Sequence, residues 1–205
     1  MITAILSWLA SLIISVISAS GYLGIGFLMT LESACIPIPS EIVMPFSGFL
    51  VSAGQFSLIW VAMVATLGNI AGSILAYAVG YWGGRPLVVR YGKYVLLHEE
   101  EIDRADRWFA RRGPSTVFLA RLLPLIRTFI SLPAGITRMK FPKFLTYTFL
   151  GSLPWNFGLA YVGVVLGENW KNLESYFRKF DYLILFLIVA VIVWWIRKHL
   201  IKKHG

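Results

Sequence analysis

The sequence predicts an all-α, polytopic membrane protein, an inverted repeat of two re-entrant hairpin-plus-transmembrane-helix units with opposed hairpins. Three observations predict it. Of the 205 residues, 58% are hydrophobic and 14% charged, whereas a soluble domain carries about 25% charged residues. Two apolar stretches are interrupted by prolines and hold charges within them. The segments around these stretches resemble each other.

We read residues 1–205 as a single membrane domain. Residues 1–31 carry no charged side chain and form N-terminal membrane helices: an interfacial helix followed by a span, or one long tilted span. A signal peptide would need a positive n-region, so the segment is expected to be retained. The first repeat covers 32–82. Its hairpin, 32–50, contains Pro37, Pro39 and Pro45, which prevent a continuous helix. Gly48 follows, and Glu32 and Glu41 lie inside. The span 57–82 is rich in glycine, which favours close helix packing.

Residues 83–113 form a cytoplasmic polar segment. Within it, 99–112 reads as an amphipathic helix, with Ile102, Ala105 and Phe109 at helical spacing. Glu100–Arg104 and Asp103–Arg107 are i,i+4 pairs in the favourable order. The second repeat covers 114–166. Its hairpin, 114–137, is broken by Pro114, Pro124 and Pro133 and carries Arg121 and Arg127. Each piece between prolines reaches only ~15 Å, half of a hydrocarbon core about 30 Å thick. A hairpin entering and leaving on one side therefore fits better than a straight span. A basic corner at 138–143 precedes the span 144–166. A mixed-charge loop, a last span at 182–196 and a basic cytoplasmic tail at 197–205 complete the chain.

Basic residues set orientation. Placing 85–112, 138–143 and the tail in the cytoplasm puts fourteen Lys and Arg inside, against three in 168–181 outside. The hairpin 32–50 then opens outward and 114–137 inward. The repeat agrees. Phe27-Leu28…Glu32…Pro37 parallels Phe118-Leu119…Arg121…Pro124, and Pro45…Gly48 parallels Pro133…Gly135. Gln55-Phe56 matches Lys140-Phe141, and Gly68…Leu75-Ala76-Tyr77…Gly80 matches Gly151…Leu159-Ala160-Tyr161…Gly163. Inverted repeats with broken helices meeting at the midplane are a transporter architecture.

An arginine at the centre of a span costs roughly 2.5–3.5 kcal/mol. For Arg121 and Arg127 the residues point to capture of an anionic headgroup, because guanidinium forks match phosphate oxygens. The alternative is a structural ion pair. Facing hairpins would let Glu32 and Glu41 compensate the two arginines. A carboxyl group in low dielectric resists ionisation and a nearby arginine favours it, so these glutamates are candidates for proton coupling or for counter-ions. Pro37, Pro39, Pro45, Pro124, Pro133, Gly48 and Gly135 are expected to shape the hairpin tips. Trp155 and Asn156 interrupt the last span and are secondary candidates.

Some functions are disfavoured. The net charge of +9 comes largely from residues flanking apolar segments, where they set topology and touch lipid headgroups rather than nucleic acid. Cys35 is the only cysteine, so no cysteine metal cluster or intrachain disulfide can form. His98, His199 and His204 all lie in polar flanks, so no membrane segment offers a histidine for catalysis or zinc. No metal and no cofactor is implied, and the chain is not expected to be an enzyme.

Five motifs carry a family resemblance: E-S-A-C-I-P-I-P-S-E at 32–41, P-x-x-G at 45–48, G-Y-W-G-G at 80–84, F-x-x-R-x-x-P-x-x-R at 118–127 and P-A-G at 133–135. Across about 21–170 the chain resembles the DedA family of bacterial inner-membrane proteins, also called VTT-domain or SNARE-associated proteins. The resemblance implies opposed re-entrant hairpins. It also implies transport of lipid-linked phosphate, undecaprenyl phosphate or phospholipid, between leaflets, with ties to the proton motive force. It carries the family's acidic and arginine pairs onto Glu32, Glu41, Arg121 and Arg127. Several relatives have Asp where this chain has Glu41.

The expectation is therefore a lipid-phosphate flippase or scramblase in the bacterial inner membrane, multi-pass, with its C-terminus in the cytoplasm. Its partners would be membrane lipids and protons, and a homo-oligomer is compatible with the sequence. The alternatives are a proton-coupled small-cation exchanger and a non-transporting membrane-shaping or scaffold protein.

Overall fold

Three long helices and five short ones make up the computed structural model, which describes residues 2–36, 38–91, 115–124 and 126–167. Pro37, the amphipathic segment 99–112, the loop 168–181, the last span 182–196 and the tail lie outside the described residues. The chain divides into two units, Met1–Val165 and Leu166–Gly205, and the helices below build the first.

Helix α1 runs Ile2–Ser20 and α2 Tyr22–Ser33. Gly21 separates them with φ 59°, a left-handed conformation that glycine adopts at no steric cost. Helix α3 runs Ser40–Ser52 and α4 Leu58–Tyr91. Helices α5 (Ser115–Arg121), α6 (Ile126–Phe129) and α7 (Ser131–Ile136) follow, then α8, Phe141–Leu166. Among the described residues two helices are long and apolar enough to cross a membrane, Leu58–Gly83 and Phe141–Leu166. They match the expected spans. The helix carrying the first continues to Tyr91, through Pro86. The second begins three residues early, since Pro142 falls in its first turn, where a missing N–H leaves no intrahelical bond unmade.

Three expectations are corrected. Residues 22–31 do not make a span by themselves, because α2 has only 12 residues, about 18 Å of helix. It is the first limb of a helix–break–helix unit, α2–α3, whose break lies at 34–39. The unit therefore starts ten residues before the expected hairpin at 32–50. Secondly, Pro45 lies inside α3 and Pro133 inside α7. Of the prolines expected at the tips, Pro39 caps α3 in extended conformation and Pro124 lies in the break after α5. Thirdly, Gly48 and Gly135 are packing positions rather than tip residues.

Those glycines fix how the units interlock. A Cβ on Gly48 would strike the backbone of Ala160 and Gly163, and one on Gly163 would strike Pro45. So α3 lies backbone-to-backbone on α8. A Cβ on Gly135 would strike Tyr77 and Tyr81, and one on Gly80 would strike Leu132, so α7 lies on α4 in the same way. The first limbs behave differently. Gly68 of α4 meets Gly26 of α2, and Gly151 of α8 meets Phe118 and Arg121 of α5. Each first limb packs on the span that follows it, and each second limb packs on the other span.

The turns closing α3 and α7 also match. Gly54 donates to Val51 at 2.9 Å and Gln55 to Leu50 at 3.0 Å. Arg138 donates to Gly135 at 2.9 Å and Met139 to Ala134 at 3.1 Å. Both are Schellman closures with a left-handed residue, Gly54 at φ 75° and Arg138 at φ 51°.

Charged and amide side chains share an otherwise apolar core, and large apolar side chains lie on the outside. Glu32, Arg121, Arg127, Asn69 and Asn156 are buried, while Leu23, Ile59, Trp60 and Trp82 are exposed at 81%, 68%, 63% and 83%. Large apolar surface faces outward, where lipid accommodates it. The molecule is a helical membrane protein.

Candidate functional site

Glu32 and Ser33 end α2, immediately before the break at 34–39. Arg121 ends α5 and Arg127 lies in α6, on either side of the second break. Each charge thus sits where a helix is interrupted. The breaks put both arginines and Glu32 in the interior of the bundle, at 2%, 4% and 5% exposure.

Arg127 forms an ion pair with Glu32 and donates from the same Nη2 to Ser40 Oγ of α3. Its guanidinium lies 4.9 Å from the ring centroid of Trp155, within cation–π range. Arg121 has a different environment. Its Nη2 donates to Ser73 Oγ at 2.5 Å and Ser131 Oγ at 2.7 Å, and among the described residues no carboxylate pairs with it. Glu41, in the first turn of α3, is half-buried and within electrostatic reach of Glu32. It makes no ion pair among the described residues. The expected compensation of two arginines by two glutamates is therefore met at Glu32–Arg127 and not at Arg121.

A polar strip on α4 joins these groups. Asn69 Nδ2 donates to Glu32 Oε2 at 3.2 Å and to Ser33 Oγ at 2.8 Å. Ser73 Oγ donates to the Asn69 carbonyl. Asn156 Nδ2 of α8 donates to Asn69 Oδ1 at 2.8 Å and Thr66 Oγ1 at 3.1 Å. One connected network runs from Ser131 through Arg121, Ser73, Asn69 and Glu32 to Arg127 and Ser40, with Asn156 joining from the second span. It draws on both broken-helix segments and on both long apolar helices.

Several donors in this interior have no partner: Arg121 Nε, Arg127 Nε and Trp155 Nε1. A guanidinium carries five N–H donors, and a buried donor left unbonded costs about 1–3 kcal/mol. Two buried cations face one paired carboxylate, with donors to spare. Such an arrangement is suited to an anion with several acceptor oxygens.

Asn69, Ser73, Ser40 and Ser131 were not singled out from the sequence. A signal was present for the first two. Thr66, Asn69 and Ser73 follow one another at spacings of three and four in an apolar helix, and Thr148, Ser152 and Asn156 do so at four and four, which places each set on one face. Ser40 and Ser131 carry no comparable mark.

The family model for the VTT domain matches residues 38–165. The chain belongs to the VTT-domain family. This is the DedA family of the motif resemblance, and the matched segment includes Glu41, Arg121 and Arg127. The VTT-domain chain is 37% identical over 192 residues to a Bacillus subtilis protein named undecaprenyl phosphate transporter A, covering 94% of this chain and 91% of that one. A Staphylococcus aureus protein of the same name is 27% identical over 191 residues, covering 91% and 94%. A Lactococcus lactis protein named alkaline phosphatase-like protein is 36% identical over 206 residues, covering 94% of each. No solved structure matches.

Proposed function

We propose that the protein moves a lipid-linked phosphate, undecaprenyl phosphate or a phospholipid, between leaflets of the bacterial inner membrane. The observation that carries this reading is the pair of buried guanidinium groups set against one buried carboxylate, both with an Nε lacking a partner. A phosphate oxygen accepts from such forks bidentately. The names of the Bacillus and Staphylococcus relatives support the same substrate class.

Arg121 holds the phosphate first, since hydroxyls are its partners. As the headgroup engages Arg127, it displaces Glu32, whose carboxylate then loses its counter-ion and takes up a proton. Release of the phosphate returns Arg127 to Glu32 and frees that proton. Glu41, half-buried and close by, relays it. This cycle couples transport to the proton motive force. The reciprocal packing of α3 on α8 and α7 on α4 supports two opposed re-entrant hairpins related by an in-plane two-fold axis, and the basic residues of the tail support a cytoplasmic C-terminus. A small-cation exchanger is disfavoured, because Glu32 is already paired with Arg127.

The test is leaflet exchange of a labelled polyprenyl phosphate in liposomes. Wild-type protein should accelerate exchange, a pH gradient should change its rate, and Arg121→Ala should abolish it. The lipid should be recovered intact, without release of inorganic phosphate. Exchange equal to that of empty liposomes, or retained in Arg121→Ala, refutes the reading. Hydrolysis would instead favour the enzyme that the Lactococcus relative's name suggests.

A further inference from the structure

At the corner between α7 and α8 lies a cavity of about 320 Å³ lined by Tyr77, Tyr81, Arg138, Met139, Lys140 and Phe141. This is in the lower range of ligand pockets. It lies apart from the buried network, where neither arginine lines it. One candidate span approaches its end at Tyr77–Gly83 and the other begins at Phe141, so the cavity opens at the membrane boundary. Its wall is fixed. The Tyr77 hydroxyl donates to the Met139 carbonyl at 2.5 Å, and Tyr77 stacks on Phe144 beneath.

Basic and aromatic residues line the ends of many spans, but two features here go further. The first is Arg138 itself. Its backbone is left-handed at φ 51°, whereas the same closing turn after α3 uses glycine, Gly54. A non-glycine residue in this region is strained, and such strain clusters where a side chain is needed. The second is its setting. The guanidinium lies 5.4 Å from the Tyr81 ring centroid, so it is held in place, yet it is exposed and has no carboxylate partner among the described residues. Lys140, two residues on, is also exposed on the same cavity.

We propose that this corner is a second phosphate site, which takes the headgroup of a lipid phosphate at the membrane surface while its tails lie along the exposed Phe141 and Trp82. The headgroup pairs with Arg138 and Lys140. As a loading site for the buried cluster it rests on the transport reading above; as a binding site it stands alone.

The experiment separates the two. Benzoylphenylalanine is placed at Phe141 of the full chain in bilayers containing radiolabelled polyprenyl phosphate, and photolabelling is read directly. The pair Arg138→Gly with Lys140→Gln removes both cations and relieves the turn, so folding is preserved. Labelling should fall roughly thirtyfold, as two surface cations at about 1 kcal/mol each imply. It should persist in Lys143→Ala, an exposed cation outside the cavity, and in Arg121→Ala. Unlabelled lipid phosphate should compete, and inorganic phosphate at equal concentration should not. Labelling unchanged in the double variant, or equally lost in Lys143→Ala, overturns the site. Equal competition by inorganic phosphate overturns the lipid as its ligand. Labelling that depends on the two cations in a protein showing no leaflet exchange would sink the transport reading and leave this site standing.

Discussion

Arg127 makes three kinds of contact through one planar group: an ion pair with Glu32, a hydrogen bond to Ser40 and a stack on Trp155. Lysine would keep the charge and lose the fork and the stack. Arg127→Lys should therefore reduce leaflet exchange by at least tenfold while the protein still folds, as checked by exchange rate alongside thermal unfolding in detergent. Asn69 tests the network rather than the phosphate. Its amide bridges Glu32, Ser33 and Asn156, so Asn69→Ala should cost about 1–3 kcal/mol of stability and lower the unfolding temperature. An unchanged temperature would show that the bridge is energetically idle. The charged residues of this site were legible because a charge in an apolar stretch demands explanation. Their partners were not. Arg121 was expected against a carboxylate and is held by Ser73 and Ser131, and serine is too common in membrane helices to mark a partner by sequence.

At the scale of helices, the spans could be read from apolar length, and the breaks at 34–39 and 122–125 from prolines and charges. The start of the first broken unit could not, since 21–31 is uniformly apolar and nothing there distinguishes a half-helix from a span. Prolines misled in the other direction. Pro45 and Pro133 sit inside helices whose glycines, three and two residues on, press against the opposite span. This pressing is testable. Gly135→Val puts side-chain atoms into the backbone of Tyr77 and Tyr81 and should separate α7 from α4, taking the buried side chains of Val117, Ile130, Ala134 and Phe144 with it. We expect a loss of folded, monodisperse protein on size exclusion. Gly158, in α8, has nothing near its Cβ position. Gly158→Ala should leave folding intact or strengthen it, because alanine favours helix over glycine by up to about 1 kcal/mol. Equal damage from both substitutions would mean that helix flexibility, and not close approach, is what the glycines provide.

For the whole molecule, the proposed inverted repeat makes a prediction that neither half makes alone. The turn after α3 and the turn after α7 are built alike, each a Schellman closure followed by the start of a long apolar helix. If the copies are inverted, these turns lie on opposite sides of the membrane. The structure supplies a ruler: α4 starts at Leu58, just after the first turn, and by Tyr77–Tyr81 it has reached the second, where Gly135 and Arg138 meet it. That stretch of helix is about 30 Å long, one hydrocarbon thickness. Basic residues would orient the pair, since Arg138 closes the second turn, Lys140 and Lys143 follow it, and the positive-inside rule would put them in the cytoplasm. In a Cys35→Ser background, Gln55→Cys should react with a membrane-impermeant maleimide in intact spheroplasts, and Lys140→Cys only in inverted vesicles. Reaction of both from one side would break the inverted repeat and leave α4 as a re-entrant or surface helix. The reverse pattern would keep the repeat but turn the protein over, placing the Arg138–Lys140 cavity in the outer leaflet.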